Sequence, residues 1–510
     1  MNGAWGSWGA LVKTKRYLWT GAGILLCFQI HFFHGLRHDD AYITYRYGQN
    51  LATGKGLVFN PGERIMASTS PGHSLLSAGV YAMAGKERLP SLMSAMGCLG
   101  WTAQSIGLFL LFQKALGKHG ALYVALCVAL GLAWSHRFVA LETNLVAGLV
   151  VWCIYAAVQK SCVVAACLCA LAGFMRPDAF LLILPLGYVC LRNSVKTACK
   201  AALFGFLLSA PWYLFSWIYY GTVLPNSAPA KFGHMSFFQS LGLVAHCVAL
   251  NPVSPRFILW VGSWWYSLLA MLVLGCAASG AFFLWRRDPR LWVLPGSGIL
   301  YFIAYVLFRA RDGTEWHVYP LILLVGVLLV VLVLSLTQGF KGRSGWIASG
   351  CNAMRIAVLT LLPILILGRT LRHAAIYPSA FFYGARDEAY RNVSKYLLTH
   401  AQPADVVVVK EIGTIAYWSE LSLIDLAGLA TEKPYQELMS RTQRPRWLVW
   451  LPPYGKGPPP VEPVYHTVSR PVASMEPGLA HESRVEAMVL SIDDRFWALW
   501  EPALALAAQE

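Results

Sequence analysis

The chain is 510 residues long, 57% hydrophobic and only 13% charged, with a formal net charge of +16. Soluble proteins carry about 25% charged residues, so this composition excludes an ordinary soluble enzyme and places most of the chain in lipid. Nucleic acid does not account for the positive charge, because the basic residues sit in short runs between apolar segments, as retention signals for cytoplasmic loops do.

The charge is divided unevenly. Residues 1–374 hold 29 of the 41 Lys and Arg but only 9 of the 25 Asp and Glu, whereas residues 375–510 hold 12 basic and 16 acidic residues. Two regions with different solvents are implied: a polytopic α-helical transmembrane region over 1–374, and a region over 375–510 whose strand and helix pattern predicts a small C-terminal α/β extracytoplasmic domain. All 12 Cys precede residue 352, most of them in apolar stretches, as Cys162, Cys167 and Cys169 are. They read as small buried hydrophobes, with neither a disulfide framework nor metal-ligand spacing.

In chain order, Lys13, Lys15 and Arg16 precede an apolar stretch at 17–36. No small-residue cleavage site separates it from His38-Asp39-Asp40, so an uncleaved first helix with a cytoplasmic N-terminus is expected. Crossing a bilayer takes roughly 20 apolar residues. Further spans are predicted at 89–113, 119–136, 143–159, 161–175, 179–191, 200–220, 263–285, 291–309, 316–336 and 346–368, which makes about 11 transmembrane helices.

This order puts Lys114, Lys118, Lys160, Arg192, Lys196, Lys200, Arg286, Arg287, Arg290, Lys341 and Arg343 inside, with Asp288 as their one acidic companion. Asp39, Asp40, Glu63, Glu87, Glu142, Asp178, Asp312 and Glu315 then share the outer side. Two demands follow. Residues 161–191 must fold as a short pair turning at Arg176-Pro177-Asp178, since burying those charges at mid-bilayer costs several kcal/mol. Ser74 to Ala84, too short to span, must lie along the outer surface.

The first outer loop reads His38-Asp39-Asp40-Ala41-Tyr42-Ile43-Thr44-Tyr45-Arg46-Tyr47-Gly48-Gln49-Asn50-Leu51. With no breaker from Asp40 to Asn50, it predicts an interfacial helix. The two acids suit a helix N-cap. They also suit general-base chemistry, because a neighbouring carboxylate and a low dielectric keep such a group reactive. A turn-rich segment, Gly54-Lys55-Gly56-Leu57-Val58-Phe59-Asn60-Pro61-Gly62-Glu63-Arg64, follows, then Ser68-Thr69-Ser70-Pro71-Gly72-His73. A phosphate loop is ruled out, as the required Gly-Lys-Ser/Thr ending is missing.

From Asp39 to Ser70 the chain resembles the opening outer loop of the GT-C integral membrane glycosyltransferases. The likeness is to the bacterial arabinofuranosyltransferase and mannosyltransferase branches, in particular relatives of the mycobacterial terminal β-(1→2)-arabinofuranosyltransferase. Leu141-Glu142-Thr143, Arg176-Pro177-Asp178, Tyr220-Gly221-Thr222-Val223-Leu224-Pro225-Asn226 with Lys231, and a polar loop before Tyr319-Pro320 continue it in order. The sequence departs from that pattern at Met66-Ala67, where an acid and a small residue are usual, and at His73, where Trp is common.

The resemblance implies a GT-C fold on the outer face of the cytoplasmic (inner) membrane. It also implies a polyprenyl-phosphate-sugar donor, with arabinofuranose as the suggested sugar, a cell-envelope glycan or glycoprotein acceptor, and inversion in a single displacement. Such chemistry needs a carboxylate to deprotonate the acceptor and cations to stabilise the departing phosphate. Asp39 or Asp40 is the candidate base. Arg176, Lys231, Arg311 and His317 are the candidates for the donor phosphate, and Tyr42, Arg46, Glu63, Ser70, His73, Glu142, Asn226 and Glu315 are the candidate lining of the substrate cavity.

Plainer roles stand beside these: Glu142 as a helix cap, Arg176 and Asp178 as a local ion pair, Arg309 and Arg311 as interfacial anchors. No cofactor is required by the sequence. Asp39, Asp40 and Glu142 offer oxygens that a divalent metal accepts, but no ligand spacing specifies one. In the C-terminal region, Arg386 to His400 predicts an amphipathic helix. Asp405 to Lys410, Ser422 to Asp425 and Arg446 to Trp450 predict short buried strands, and Pro452 to Pro463 a Pro-rich loop. Gly413 and Asp425-Leu426-Ala427-Gly428-Leu429 resemble the outer domain of the same relatives. A transporter or flippase of lipid-linked sugars is the rival class, but it typically shows internal repeats and mid-membrane charges. A catalytically inactive assembly subunit is the third reading.

Overall fold

Lipid offers no hydrogen-bond partners to a backbone, so apolar stretches must satisfy their own as helices. The computed structural model describes residues 4–228, 236–250, 264–308, 315–338, 353, 356–357, 359–372, 382–431, 445–450, 465–468 and 486–491. α1 (Ala4–Phe33) carries the first apolar stretch, and α2 (Asp39–Ala52) begins with both aspartates in its first turn. α3 (Pro71–Ala129) is broken at Gly85 and Gly117, whose φ of 76° and 71° only glycine adopts readily. The first break closes a short piece covering Ser74–Ala84 and sets it apart from the long helix beyond.

α4 (Thr143–Val158) and α5 (Cys162–Met175) follow, then a 3-10 turn (Pro177–Leu182), α6 (Ile183–Asn193) and α7 (Val195–Tyr220). The expected turn at Arg176-Pro177-Asp178 is present: the helix stops at Met175, and Arg176, the residue before the proline, is extended. α8 (Phe237–Leu250), outside the expected spans, is a 14-residue helix, too short for the length criterion. α9 (Trp264–Arg287), α10 (Val293–Phe308) and α11 (Glu315–Gln338) match expected spans. Residues 359–372 are helical and overlap the end of the last one.

The chain is a multi-pass membrane protein. Among the described residues, five helical stretches are long and apolar enough to cross: 71–138, 195–220, 267–287, 289–308 and 317–336. α4 and α5 are apolar but reach only about 24 and 21 Å, short of a ~30 Å hydrocarbon core. α7 leaves Phe206, Leu207, Trp217 and Ile218 more than half exposed, a surface suited to lipid and not to water.

The charges sort to the two ends of α4. At its C-terminal end Arg290 donates to the Val158 carbonyl (3.0 Å) and pairs with Asp288 (2.7 Å), with Lys114 at 3.9 Å. Its N-terminal end begins beside Glu142, where Arg176 and Asp178 gather.

After these helices, α12 (Phe382–His400) precedes a five-stranded sheet of β1 (Val406–Val409), β2 (Ser422–Asp425), β3 (Trp447–Trp450), β4 (Tyr465–Val468) and β5 (Glu486–Ser491). The order is β2-β1-β3-β5-β4, with β1 parallel to β2 and β3 and the remaining pairs antiparallel. Val408 pairs with both Ile424 and Leu448. The short helix α13 (Gly413–Ser419) connects β1 to β2. Pro452–Pro463 lies outside the described residues. Val393 and Leu397 of α12, Val407 of β1 and Ile415 of α13 share one hydrophobic cluster with Ile43 and Tyr47 of α2 and Phe59 of the following loop. The first loop and the C-terminal elements therefore have a common core.

Candidate active site

The two aspartates at the start of α2 meet different surroundings. Asp39 is buried and accepts the backbone N–H of Thr414 at 2.8 Å and of Gly413 at 3.2 Å. Its carboxylate thus holds the first turn of α13, where amide donors and the helix dipole favour negative charge. Position 413 must be glycine, since a Cβ there would fall 1.9 Å from the Asp39 carbonyl oxygen.

Asp40 lines a small polar cavity with Ser70, Glu142, Ser227, His317 and Leu429. α2 brings Asp40, the start of α3 brings Ser70, the turn before α4 brings Glu142, and the start of α11 brings His317. Glu142 occupies the cap position of α4 without a side-chain capping bond, and its carboxylate lies 3.8 Å from Arg176 Nη1. Burial pushes the Glu142 carboxyl above the usual range, and the Arg176 charge opposes that rise.

Arg176 forms the centre of a buried cluster. Its Nε donates to Asp178 Oδ1 (3.1 Å) and its Nη2 to Asp178 Oδ2 (2.7 Å). Nη2 also reaches the Tyr305 hydroxyl and His317 Nδ1, both at 3.2 Å, while Tyr305 donates to Asp178 Oδ2 at 2.6 Å. A bidentate carboxylate grip of this kind fixes a guanidinium plane.

Asp40, Ser70, Glu142 and His317, and behind them Arg176, are therefore brought together. Five expected lining residues are not at the cavity, and other groups hold four of them. The Tyr42 hydroxyl accepts from Arg391 (2.9 Å), and Arg46 donates to the carbonyls of Phe59, Glu420 and Leu421. Glu63 accepts from Asn60 (2.9 Å), and Asn226 donates to the carbonyls of Gly428 and Leu429. His73 is fully buried with its ring 6.2 Å from that of Tyr45. Lys231, Arg309 and Arg311 lie outside the described residues, as does the side chain of Glu315.

Sequence reasoning missed Ser227 and Tyr305, and marked Leu429 only as part of a segment resembling the relatives' outer domain. Ser227 adjoins the flagged Asn226, whereas nothing local to Tyr305 signals a site. No group of three or more metal-ligating side chains occurs among the described residues.

Residues 376–500 match a family described as "Domain of unknown function (DUF8728)". No curated protein matches the sequence. Among solved structures, the chain is similar to ArnT from Cupriavidus metallidurans bound to undecaprenyl phosphate, at 12% identity and a TM-score of 0.54 over 93% of this chain and 98% of that one. Apo ArnT from the same organism gives 12% and 0.56 over 94% and 98%. The Archaeoglobus fulgidus oligosaccharyltransferase, in complex with Zn and sulfate, gives 11% and 0.55 over 83% and 67%. The chain shares the fold of these structures.

Within this fold the cavity holds two carboxylates and an imidazole, with a buried guanidinium behind them. Such a set can accept a proton on one side and offer hydrogen bonds to an anion on another.

Proposed function

We propose that the chain transfers a sugar from a polyprenyl-phosphate donor to a hydroxyl of a cell-envelope glycan or glycoprotein, with arabinofuranose as the first sugar to test. Asp40 takes the proton of the acceptor hydroxyl, and the new C–O bond forms at the anomeric carbon with inversion. The bond from that carbon to the phosphate oxygen breaks, and polyprenyl phosphate leaves with the electron pair. His317 faces the phosphate, and Arg176 supplies positive charge behind it. Lys231 and Arg311 are the further cations we assign to that pole.

The observation that carries this reading is the meeting of Asp40 with His317 and the Arg176 cluster at one polar cavity, at one end of the membrane helices. A second feature fits the carrier. α5, α6 and α7 enclose a cavity of about 590 Å³, lined by residues such as Ala166, Phe180, Leu186 and Phe206, whose apolar walls suit an isoprenoid chain. α5 ends at Met175, so this wall stops next to Arg176. The same reading places the N-terminus in the cytoplasm and residues 375–510 outside, as one unit.

The test is transfer by purified protein in lipid nanodiscs, with radiolabelled polyprenyl-phosphate arabinofuranose and an arabinan acceptor. Labelled acceptor that depends on Asp40 is expected. Label that moves across a vesicle membrane without joining any acceptor would overturn the reading in favour of a transporter.

A further inference from the structure

The hydrogen-bonding sense of His317 is set by a neighbour that cannot change its own. Arg176 Nη2 lies 3.2 Å from His317 Nδ1 and 3.4 Å from the His317 carbonyl oxygen. A guanidinium has only donors. A hydrogen on Nδ1 would set two N–H groups against each other at that distance, so Nδ1 faces the guanidinium as an acceptor and shares with the Tyr305 hydroxyl and the His317 carbonyl the Nη2 hydrogen that Asp178 does not take. The ring proton of the neutral imidazole then sits on Nε2.

Arg176 is itself immobilised. Two parallel bonds to Asp178, the Tyr305 hydroxyl and the Glu142 carboxylate surround a guanidinium whose side chain is 5% exposed. Tyr305 gives its own proton to Asp178, so its oxygen is left to accept from Arg176. Every partner in this cluster is therefore oriented the same way: carboxylates accept, the guanidinium donates, and imidazole Nδ1 accepts.

We propose that Arg176 is a positioning residue, which holds His317 as its Nε2–H tautomer so that the ring donates a hydrogen bond to a phosphoryl oxygen of the lipid-phosphate ligand. This rests on the lipid-phosphate reading above. The guanidinium charge acts through the ring, since donation to Nδ1 polarises the opposite N–H and strengthens the bond it offers. The cavity also contains Asp40 and Glu142, which would repel a phosphate approaching them. The His317 side is where an anion finds a donor.

The test uses full-length protein in nanodiscs and undecaprenyl phosphate as the probe. In His317→Gln the amide nitrogen stands near the Nε2 position, and in His317→Asn it stands near Nδ1. The Gln variant is expected to bind close to wild type. The Asn and Ala variants should bind at least about tenfold more weakly, the loss of one hydrogen bond to a charged group. Binding by Asn equal to or tighter than Gln would overturn the proposal.

The tautomer is read separately from ¹⁵N-histidine solid-state NMR of the wild type, with the His317 signal assigned by subtracting the His317→Gln spectrum. An Nε2–H signal that gives way to Nδ1–H in Arg176→Met, and persists in Arg176→Lys, is expected. An Nδ1–H signal in the wild type would refute the positioning role even if the variants fail to fold. Wild-type protein that does not bind undecaprenyl phosphate would defeat the lipid-phosphate reading and the ligand half of the proposal, while the spectrum still judges the tautomer.

Discussion

Asp39 and Asp40 are neighbours in sequence but point about 100° apart around α2, and that rotation separates their chemistry. Asp39 turns toward α13 and takes up two backbone amides, while Asp40 turns into the cavity. A carboxylate that already accepts two amide protons is a poor base, because each bond stabilises its charged form. We predict that Asp40→Asn lowers the transfer rate about 100-fold or more without moving the melting temperature. Asp39→Ala should instead cost about 2 kcal/mol of stability, since it strands two buried donors. Thermal unfolding together with initial rates checks both, and the reverse pattern would exchange the two roles.

At the scale of elements, the turn between α5 and α6 was readable because Pro177 cannot continue a helix and Arg176 and Asp178 cannot stay in lipid. The contact between Asp39 and α13 was not readable. It joins residues 374 positions apart, and Gly413 becomes informative only once the Asp39 backbone is seen against it. The loop after β2 shows the same limit. Asp425 accepts the amides of Ala427, Leu429 and Ala430 and so shapes the turn that carries Leu429 to the cavity.

Burial pushes the Asp425 carboxyl from 3.8 up to about 6, with the Asp39 charge adding to the rise and the three amides opposing it. The folded state therefore holds a proton that the unfolded state releases. Stability from this group is full below about pH 4, falls as pH rises to about 6 and is level above, a change on the order of 3 kcal/mol. Melting temperatures across that window should fall less steeply in Asp425→Asn than in the wild type. Parallel curves for the two proteins would show that Asp425 does not titrate there.

At the scale of the whole molecule, the charge asymmetry forecast two separated groups, and α4 does run from the Glu142–Arg176 cluster to the Asp288–Arg290 cluster. Composition could not reveal that the C-terminal elements are built into the first loop. Lys86 pairs with Glu420 at 2.6 Å, and Asn60 exchanges two bonds with the Leu423 backbone. Arg46 is wholly buried on the carbonyls of Glu420 and Leu421, and Tyr42 is held by Arg391. Each buried polar group left without its partner costs about 1–3 kcal/mol, and the losses at Tyr42, Arg46 and Asn60 fall on the segment that carries Asp40. A chain ending before residue 376 is therefore expected to insert in the membrane but to lose both undecaprenyl phosphate binding and transfer. Protease cleavage within residues 38–70 should appear at the same time. Residues 376–510 supplied in trans should restore part of the activity, because the cluster shared by α2, α12 and β1 can re-form between separate chains. Wild-type transfer by the shortened chain would mean that the transmembrane helices build the site unaided and that the C-terminal contacts only cover it.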